Sequence, residues 1–507
     1  MVNKHQNLAP VIGLEIHLEI KTKSKIFCSC LNDPEEKTPN KNVCPICLGH
    51  PGVLPSINKQ ALIKTLKLGI ALHGKINLVS YFERKNYFYP DLPKAYQISQ
   101  FACPLIKGGF LMVNGKKISF DNIHLEEDTA KLIHSSDKAF TCLDFNRAGV
   151  PLLEATTEPV IESPEEAKMF LQEFQLLARY LDISPAAMEK GQMRCDANLS
   201  LRPVNSQKLF PKVEIKNLNS FHSVEQALRY EIERQRKMWE QGTPPVYSST
   251  RGWDEKRKET FPQREKEQAK DYRYFPEPDL LVYNISSLVK EIRIGEGPFE
   301  RRERFKKEYG FNSKQAYSLT KSKLIADFTE EVISELKSWF VTLKNTQPLE
   351  KYEWEKQKQK VVDLLGNWMI NRFLPLFPAY VLESSDIKDL KVTPENFAEF
   401  LILIYQRKIP STVGTEVLKL MVQTGKDVDR VMEEKGIKTI DKSLDIDKIA
   451  DDLISQNKEL VNLYLKGKEN ILNVFIGKIM AKTKGQVDPE EARKIMKDKL
   501  DELKNKT

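Results

Sequence analysis

The stretch Val11-Ile-Gly-Leu-Glu-Ile-His-Leu-Glu-Ile20 alternates. Ile12, Leu14, Ile16, Leu18 and Ile20 fall on one side, and Glu15, His17 and Glu19 on the other. Successive strand side chains point to opposite faces, so this period of two predicts a half-buried strand with a polar face. Arg194-Cys-Asp-Ala-Asn198-Leu-Ser200-Leu-Arg202 repeats the pattern, with Arg194, Asp196, Asn198, Ser200 and Arg202 together. A face that polar must look into water or a ligand cavity. Ser163-Pro-Glu-Glu166 reads as a capping box with proline at the first helical position. It opens a helix with the stripe Ala167, Phe170, Leu171, Phe174, Leu177, Ala178 and Leu181. Phe221–Trp239 reads as a second, highly charged helix. Strands and helices do not alternate regularly, which favours an α+β domain with an antiparallel sheet over a doubly wound fold.

Beyond residue 300 strand patterns nearly vanish. Thr393-Pro-Glu-Asn396 caps a helix bearing Phe397, Phe400, Leu401 and Ile404, and Pro410-Ser411 reads as a break. The expected division is an α+β domain over 1–297 and two all-helical units over 298–407 and 408–507. At roughly 150 residues per domain, 507 residues fit three. Trp253–Lys270 is a dense charge run expected to be a solvated loop. Hydrophobic residues at 40% and charged residues at 30% exclude global disorder and a collagen-like fibre. A net charge of +8 permits an anionic partner without demanding one. No apolar run approaches the ~18 residues of a membrane span. The N-terminus shows no signal or transit pattern, so the expected location is cytoplasmic.

Seven cysteines are too few and too scattered for a secreted disulfide scaffold. Four of them form two close pairs, Cys28-x-Cys30 and Cys44-Pro-Ile-Cys47-x-Gly49. That spacing suits a closed tetrahedral zinc knuckle. A redox pair would need a thioredoxin-like context, which is missing. Cys103, Cys142 and Cys195 stand singly and are expected in the core. Glu15 and His17, the acidic cluster in His124-Leu-Glu-Glu127-Asp128, and Glu154 combine histidine with several carboxylates. Such a hard set suits Mg²⁺, although cross-strand pairs on a solvated face would look the same. Arg84-Lys-Asn-Tyr-Phe-Tyr-Pro-Asp-Leu-Pro-Lys94-Ala-Tyr96-Gln-Ile-Ser-Gln100 must be a shaped loop, because two prolines forbid a helix interior or central strand. Neither a P-loop, nor G-x-G-x-x-G in a suitable context, nor a nucleophile elbow is present.

The stretches VIGLEIHLEIKTKSKIFC, CPICLGHPGVLP, FERKNYFYPDLPKAYQISQ, HLEEDTAK, NRAGVPLLE, MRCDANLSLRP, KNLNSF, DYRYFPEPDL and KGKENILNVFIGKIMAKTKGQVDP closely resemble the B subunit of bacterial-type aspartyl/glutamyl-tRNA amidotransferases. The likeness covers essentially the whole chain. It implies ATP-dependent phosphorylation of the side-chain carboxylate of Glu-tRNA(Gln) or Asp-tRNA(Asn), followed by amidation. Ammonia would come from a glutaminase A subunit, in a heterotrimer clamped by a small C subunit. The family's fold implies a cradle domain related to glutamine synthetase, then a helical domain and a helical tail that grips tRNA. Carried over, the Mg²⁺ ligands are His17, Glu127 and Glu154, with Glu15 nearby. Strict alternation opposes Glu127, placing it with Ile123 and Leu125, so a bulge or strand end must intervene or the ligand is Glu126. Arg84, Lys94, Tyr96, Ser99, Asp196, Asn198, Lys216 and Asn219 are candidates for nucleotide, acceptor end or channel. Lys466, Lys468, Lys478, Lys482 and Lys484 could contact tRNA phosphates or form a solvated helix face. Many members lack some of the four cysteines, which sets zinc apart from catalysis. The competing readings are the archaeal-type Glu-tRNA(Gln) subunit, which carries an extra insert domain, and a non-catalytic tRNA-binding or assembly subunit.

Overall fold

The computed structural model describes residues 7–135, 140–263, 269–346, 353–378, 390–437, 446–483, 487 and 489–506. The chain divides into two units, Met1–Phe299 and Glu300–Thr507.

The first unit is α+β, built on a ten-stranded sheet among the described residues. Its centre holds β1 (Leu8–Glu19), β2 (Lys116–Glu127), β3 (Pro151–Thr157), β4 (Met193–Pro203) and β5 (Val213–Leu218). Their spatial order is β5–β4–β1–β3–β2, each antiparallel to its neighbours. The first strand is thus the central one. The apolar side chains of the opening motif, Ile12, Leu14, Ile16 and Leu18, are almost wholly buried. Each contributes about 1.5–3 kcal/mol by leaving water. They share a core with α1 (Pro164–Tyr180) and α2 (Phe221–Glu240), and Phe120 of β2 meets Phe170 of α1 with ring centroids 5.6 Å apart. Ser163 caps α1, accepting from the Glu166 N–H, but the Glu166 carboxylate accepts from the Glu162 N–H and not from that of Ser163, so the reciprocal half of the capping box is displaced by one residue. With one face sealed by helices, the polar residues of the central strands are left on the other.

The sheet is not purely antiparallel. Ser249–Asp254 lies parallel to β5, because the chain returns through α2, and a helical crossover makes neighbouring strands parallel. Ser249–Asp254 then turns back into Glu259–Pro262. The charge run expected as a loop is therefore largely a hairpin, its turn fixed by Asp254 accepting from the Lys256 and Arg257 N–H groups. Residues 264–268 of that run lie outside the described ones.

In the second unit every described element is helical. Helices from Pro298 to Lys435 share one core that runs from Phe305 to Met432. The expected boundary at 407/408 falls within the span of this core. Pro410 does open a new helix, Ser411–Thr424, but its Gly414 sits so tightly against Ile404, Trp368 and Phe400 that an added Cβ would lie 2.7 Å from Ile404. A separate core begins at Ala450 and is built by the helices spanning Ile446–Lys506. In this part Lys466 and Lys468 flank a left-handed Gly467 and are exposed. Lys478 donates to Asn457, and Lys482 pairs with Asp452. Lys484 lies outside the described residues. No helix among those described is long and apolar enough to cross a membrane.

Candidate active site

Register explains the cluster on the polar face. His17 lies opposite Glu154, which lies opposite His124 on the next strand. Pairs directly across antiparallel strands share a face, so three strands present these groups side by side. His17 Nε2 is 3.4 Å from Glu154, 3.8 Å from Glu126 and 4.0 Å from Glu15. His124 Nε2 is 3.6 Å from Glu154 and 3.7 Å from Glu126. Two sets, Glu15/His17/Glu154 and His124/Glu126/Glu154, each gather ligand atoms within 4.8 Å of one another. Carboxylate oxygens with an imidazole fit a hard divalent cation, and Glu154 belongs to both sets.

Glu127 is not among them. The β2–β3 register stays regular through Leu125, Glu126 and Glu127, its only irregularity lying at Thr156/Thr157. Alternation therefore sends Glu126 into the cluster and Glu127 to the opposite face. There Lys94 holds Glu127 at 2.5 Å, and the Ile98 N–H donates to it at 2.8 Å. His124, absent from the assigned ligands, is readable from the same alternation.

The cluster lines a cavity of about 800 Å³. Burial disfavours charge on His17, but the hydrogen bond and charge of Glu154, with Glu126 and Glu15, outweigh it and raise the imidazole to about 9. Glu154 is held well below the carboxylate range, because its two histidines overcome the burial that would raise it. Desolvation disfavours charge on the half-buried Lys85 too, yet Glu126 and Glu154 raise its ammonium well above the usual lysine value. The site is thus a concentrated set of buried and half-buried charges, in which a protonated His17 would compete with any bound cation for Glu154. If His17 is a Mg²⁺ ligand, binding would have to expel that proton. Because the raised value is about 9, affinity is expected to fall about tenfold per pH unit below it and to level off above it. Calorimetric Mg²⁺ titrations from pH 6.5 to 9.5 measure this, and a flat profile would exclude His17 as a ligand.

The other anticipated residues divide between two places. Ser99 donates to Glu126 at 3.0 Å, and Asp196, Lys216 and Asn219 line the same cavity, with Lys216 donating to Asp196 at 2.9 Å. Asp196 pairs in regular register with Glu15, while the register toward β5 shifts between Cys195 and Ala197, the extra residue lying on β5. Asn198 is not among the cavity's lining residues. Arg84, Lys94, Tyr96 and Glu127 instead line a second cavity of about 240 Å³. Arg84 makes a two-pronged pair with Glu277 at 2.7 and 2.8 Å and lies 4.2 Å from the Tyr96 ring.

Cys28, Cys30, Cys44 and Cys47 also converge within 4.8 Å, forming a group that could hold a metal and is compatible with structural zinc. Cys44 and Cys47 sulfurs are 3.9 Å apart, close to the ~3.8 Å edge of a tetrahedron with 2.3 Å metal–sulfur bonds. The Cys28 thiol's hydrogen bond, the Cys44 N–H and the Lys25 charge hold Cys47 well below the thiol range despite burial. Lys25 is fully buried, 3.7 Å from Cys47 and 3.2 Å from the Phe145 carbonyl. Of the remaining cysteines only Cys195 is buried; Cys142 is exposed on an outlying hairpin. The knuckle also backs Lys94. Gly49 has φ +70°, and a Cβ there would lie 2.2 Å from Lys94 Cγ. Gly49→Ala is expected to cost about 1–3 kcal/mol in chemical denaturation, from left-handed strain and from displacing Lys94.

Residues 10–291 match the family model described as the GatB/GatE catalytic domain, and residues 352–500 the one described as the GatB domain. The chain belongs to the GatB family. The B subunit of the aspartyl/glutamyl-tRNA(Asn/Gln) amidotransferase of Thermosipho melanesiensis is 42% identical over 96% of this chain and 98% of its own length. The B subunits of the same-named enzymes of Dehalococcoides mccartyi and Thermotoga maritima are 40% and 39% identical, each over 97% of this chain and 99% of their own. The GatB catalytic-domain match encloses the carboxylate–histidine cluster, both cavities and all four cysteines.

Proposed function

We propose that this chain is the part of a glutamine-dependent ligase that amidates the side-chain carboxylate of Glu-tRNA(Gln), Asp-tRNA(Asn) or both, at the expense of ATP. The observation that carries the reading is the Glu15/His17/His124/Glu126/Glu154 cluster, with Lys85 beside it, on the floor of a large cavity in a GatB-family chain. The names of its relatives supply the substrate class.

A carboxylate is a poor electrophile. Its oxygen takes the γ-phosphoryl group of ATP, releasing ADP and leaving an acyl phosphate. Ammonia then attacks the carbonyl carbon, the C–O bond to phosphate breaks, and amide, phosphate and a proton result. His17, Glu126 and Glu154, with Glu15 and His124 beside them, would hold Mg²⁺. When bound, that ion neutralises charge on the phosphate oxygens. Lys85 places a half-buried positive charge beside the same region. Lys216, anchored on Asp196, and Arg194, anchored on Asp128 at 2.8 Å, hold further cations at the cavity wall. Preoriented charges lining the cavity would stabilise the transferring group, and seating the substrate there would shield the acyl phosphate from bulk water.

The remaining parts follow the same reading. The four cysteines hold a structural zinc ion. A glutaminase A subunit supplies ammonia and a small C subunit completes a cytoplasmic heterotrimer. The exposed Lys466 and Lys468 of the last helical part meet tRNA phosphates. Near-complete overlap with bacterial-type subunits supports this over the archaeal-type alternative. Reconstitution with partner subunits, misacylated tRNA, ATP–Mg²⁺ and labelled ammonia tests it. ADP formation and amide formation should both depend on the tRNA; a wild-type complex that makes no ADP would refute it.

A further inference from the structure

One large aromatic side chain at the cavity is left mostly exposed. Phe101 is 57% exposed, although its backbone is firmly placed. The buried Glu83 carboxylate accepts from the Phe101 and Ala102 N–H groups at 2.8 and 2.7 Å. The Phe101 ring lies parallel to Tyr274, with centroids 4.5 Å apart and planes at 13°. Both rings line the cavity that holds the carboxylate–histidine cluster. From Tyr274 the wall continues through Tyr272, 6.2 Å away, against whose ring the Lys85 ammonium rests at 5.1 Å. Lys85 in turn faces Glu126 and Glu154. One wall therefore carries, in order, a flat aromatic face, a half-buried cation and a carboxylate set that could hold a cation. That sequence of chemistry complements a planar base, a polyphosphate and its divalent ion.

We propose that Phe101, backed by Tyr274, is the stacking platform for the purine base of the nucleoside triphosphate. The inference rests on the nucleotide-dependent reading above and adds a base subsite to it. A phenyl ring offers a face and no hydrogen-bonding edge, so it grips the π-surface of a base without choosing among purines. Glu83 is the positioning residue, because it fixes the backbone from which the ring projects.

The test uses the full chain, Mg²⁺ and the triphosphate of 2-aminopurine riboside, whose fluorescence falls when its base stacks. Binding to the wild type should quench the probe. Phe101→Ala should lose most of that quenching and weaken binding about tenfold or more. Phe101→Trp should restore both. Binding of Mg²⁺–tripolyphosphate, which has no base, should be the same in all three. The ring is exposed, so thermal melting should also be unchanged. Wild-type affinity and quenching in Phe101→Ala would overturn the proposal while leaving nucleotide dependence intact. It would equally be overturned if nucleotide binding were unchanged and only the KM for aminoacyl-tRNA rose, because the platform would then serve a terminal adenosine of RNA. Failure of the wild type to bind either triphosphate would overturn the nucleotide-dependent reading as well.

Discussion

Replacing Glu154 with alanine is expected to lower tRNA-dependent ADP formation and amidation together, by at least about a hundredfold. Glu154 is the group shared by the two ligand sets and lies closest to His17. Its removal would leave two imidazoles facing an incomplete cation site. The folded domain should survive, because Glu154 projects from the polar face of a strand whose other face, through Leu153 and Ala155, remains buried in the core. Glu154→Gln keeps the shape and removes the charge, so it should behave like alanine if the carboxylate is what matters. Parallel variants separate Glu126 from Glu127. Glu126→Ala should weaken Mg²⁺ binding. Glu127→Ala should leave Mg²⁺ affinity unchanged and instead lower stability by about 3–5 kcal/mol, because Lys94 would be buried without its partner. If the Mg²⁺ defect appeared in Glu127→Ala and not in Glu126→Ala, the ligand assignment drawn from the strand register would be reversed.

The second large effect concerns the cysteine knuckle. Elemental analysis of the purified chain is expected to find one zinc ion per molecule, and Cys44→Ser should lose it. Chelation should lower the unfolding temperature by about 10 °C. A site occupied about a thousandfold above its dissociation constant adds about 4 kcal/mol. Each kcal/mol is worth about 2–4 °C in a domain of this size. The structure shows why the loss would spread. Asn40 and Asn42, between the two cysteine pairs, bond to Leu143 and Asn146. Lys25 is buried against Cys47, and Gly49 backs Lys94. The segments flanking β2 and β3 therefore lean on the knuckle. A metal-free wild-type protein with unchanged stability would remove zinc from the account.

The central strand, its polar face and the capped helix are legible in the sequence because period-two alternation and a Ser-Pro-Glu-Glu cap are local signals. The same alternation points to Glu126 against the family-derived Glu127, and the register sides with alternation in placing Glu126 beside His17 and Glu154. The cysteine pairs are legible from spacing alone, and the structure brings them together. Other features depend on partners distant in sequence. Nothing local says that Lys94 would meet Glu127, or that Arg84 would be claimed by Glu277, 193 residues away. The continuity of the core across residue 407 is hidden for a similar reason. Pro410 ends one helix and begins another, which reads as a break, but Gly414 lets the new helix press against Ile404 and Trp368 and remain in the same core. The parallel edge of the sheet is hidden because a highly charged helix does not announce that the strand after it returns beside the strand before it.

The central claim is that phosphate leaves carrying an oxygen of the substrate carboxylate. The most direct measurement uses misacylated tRNA whose side-chain carboxylate is labelled with ¹⁸O, in the reconstituted complex with ATP–Mg²⁺ and ammonia. The acyl-phosphate route predicts one labelled oxygen in the inorganic phosphate for each amide formed. Unlabelled phosphate alongside full amide formation would contradict it.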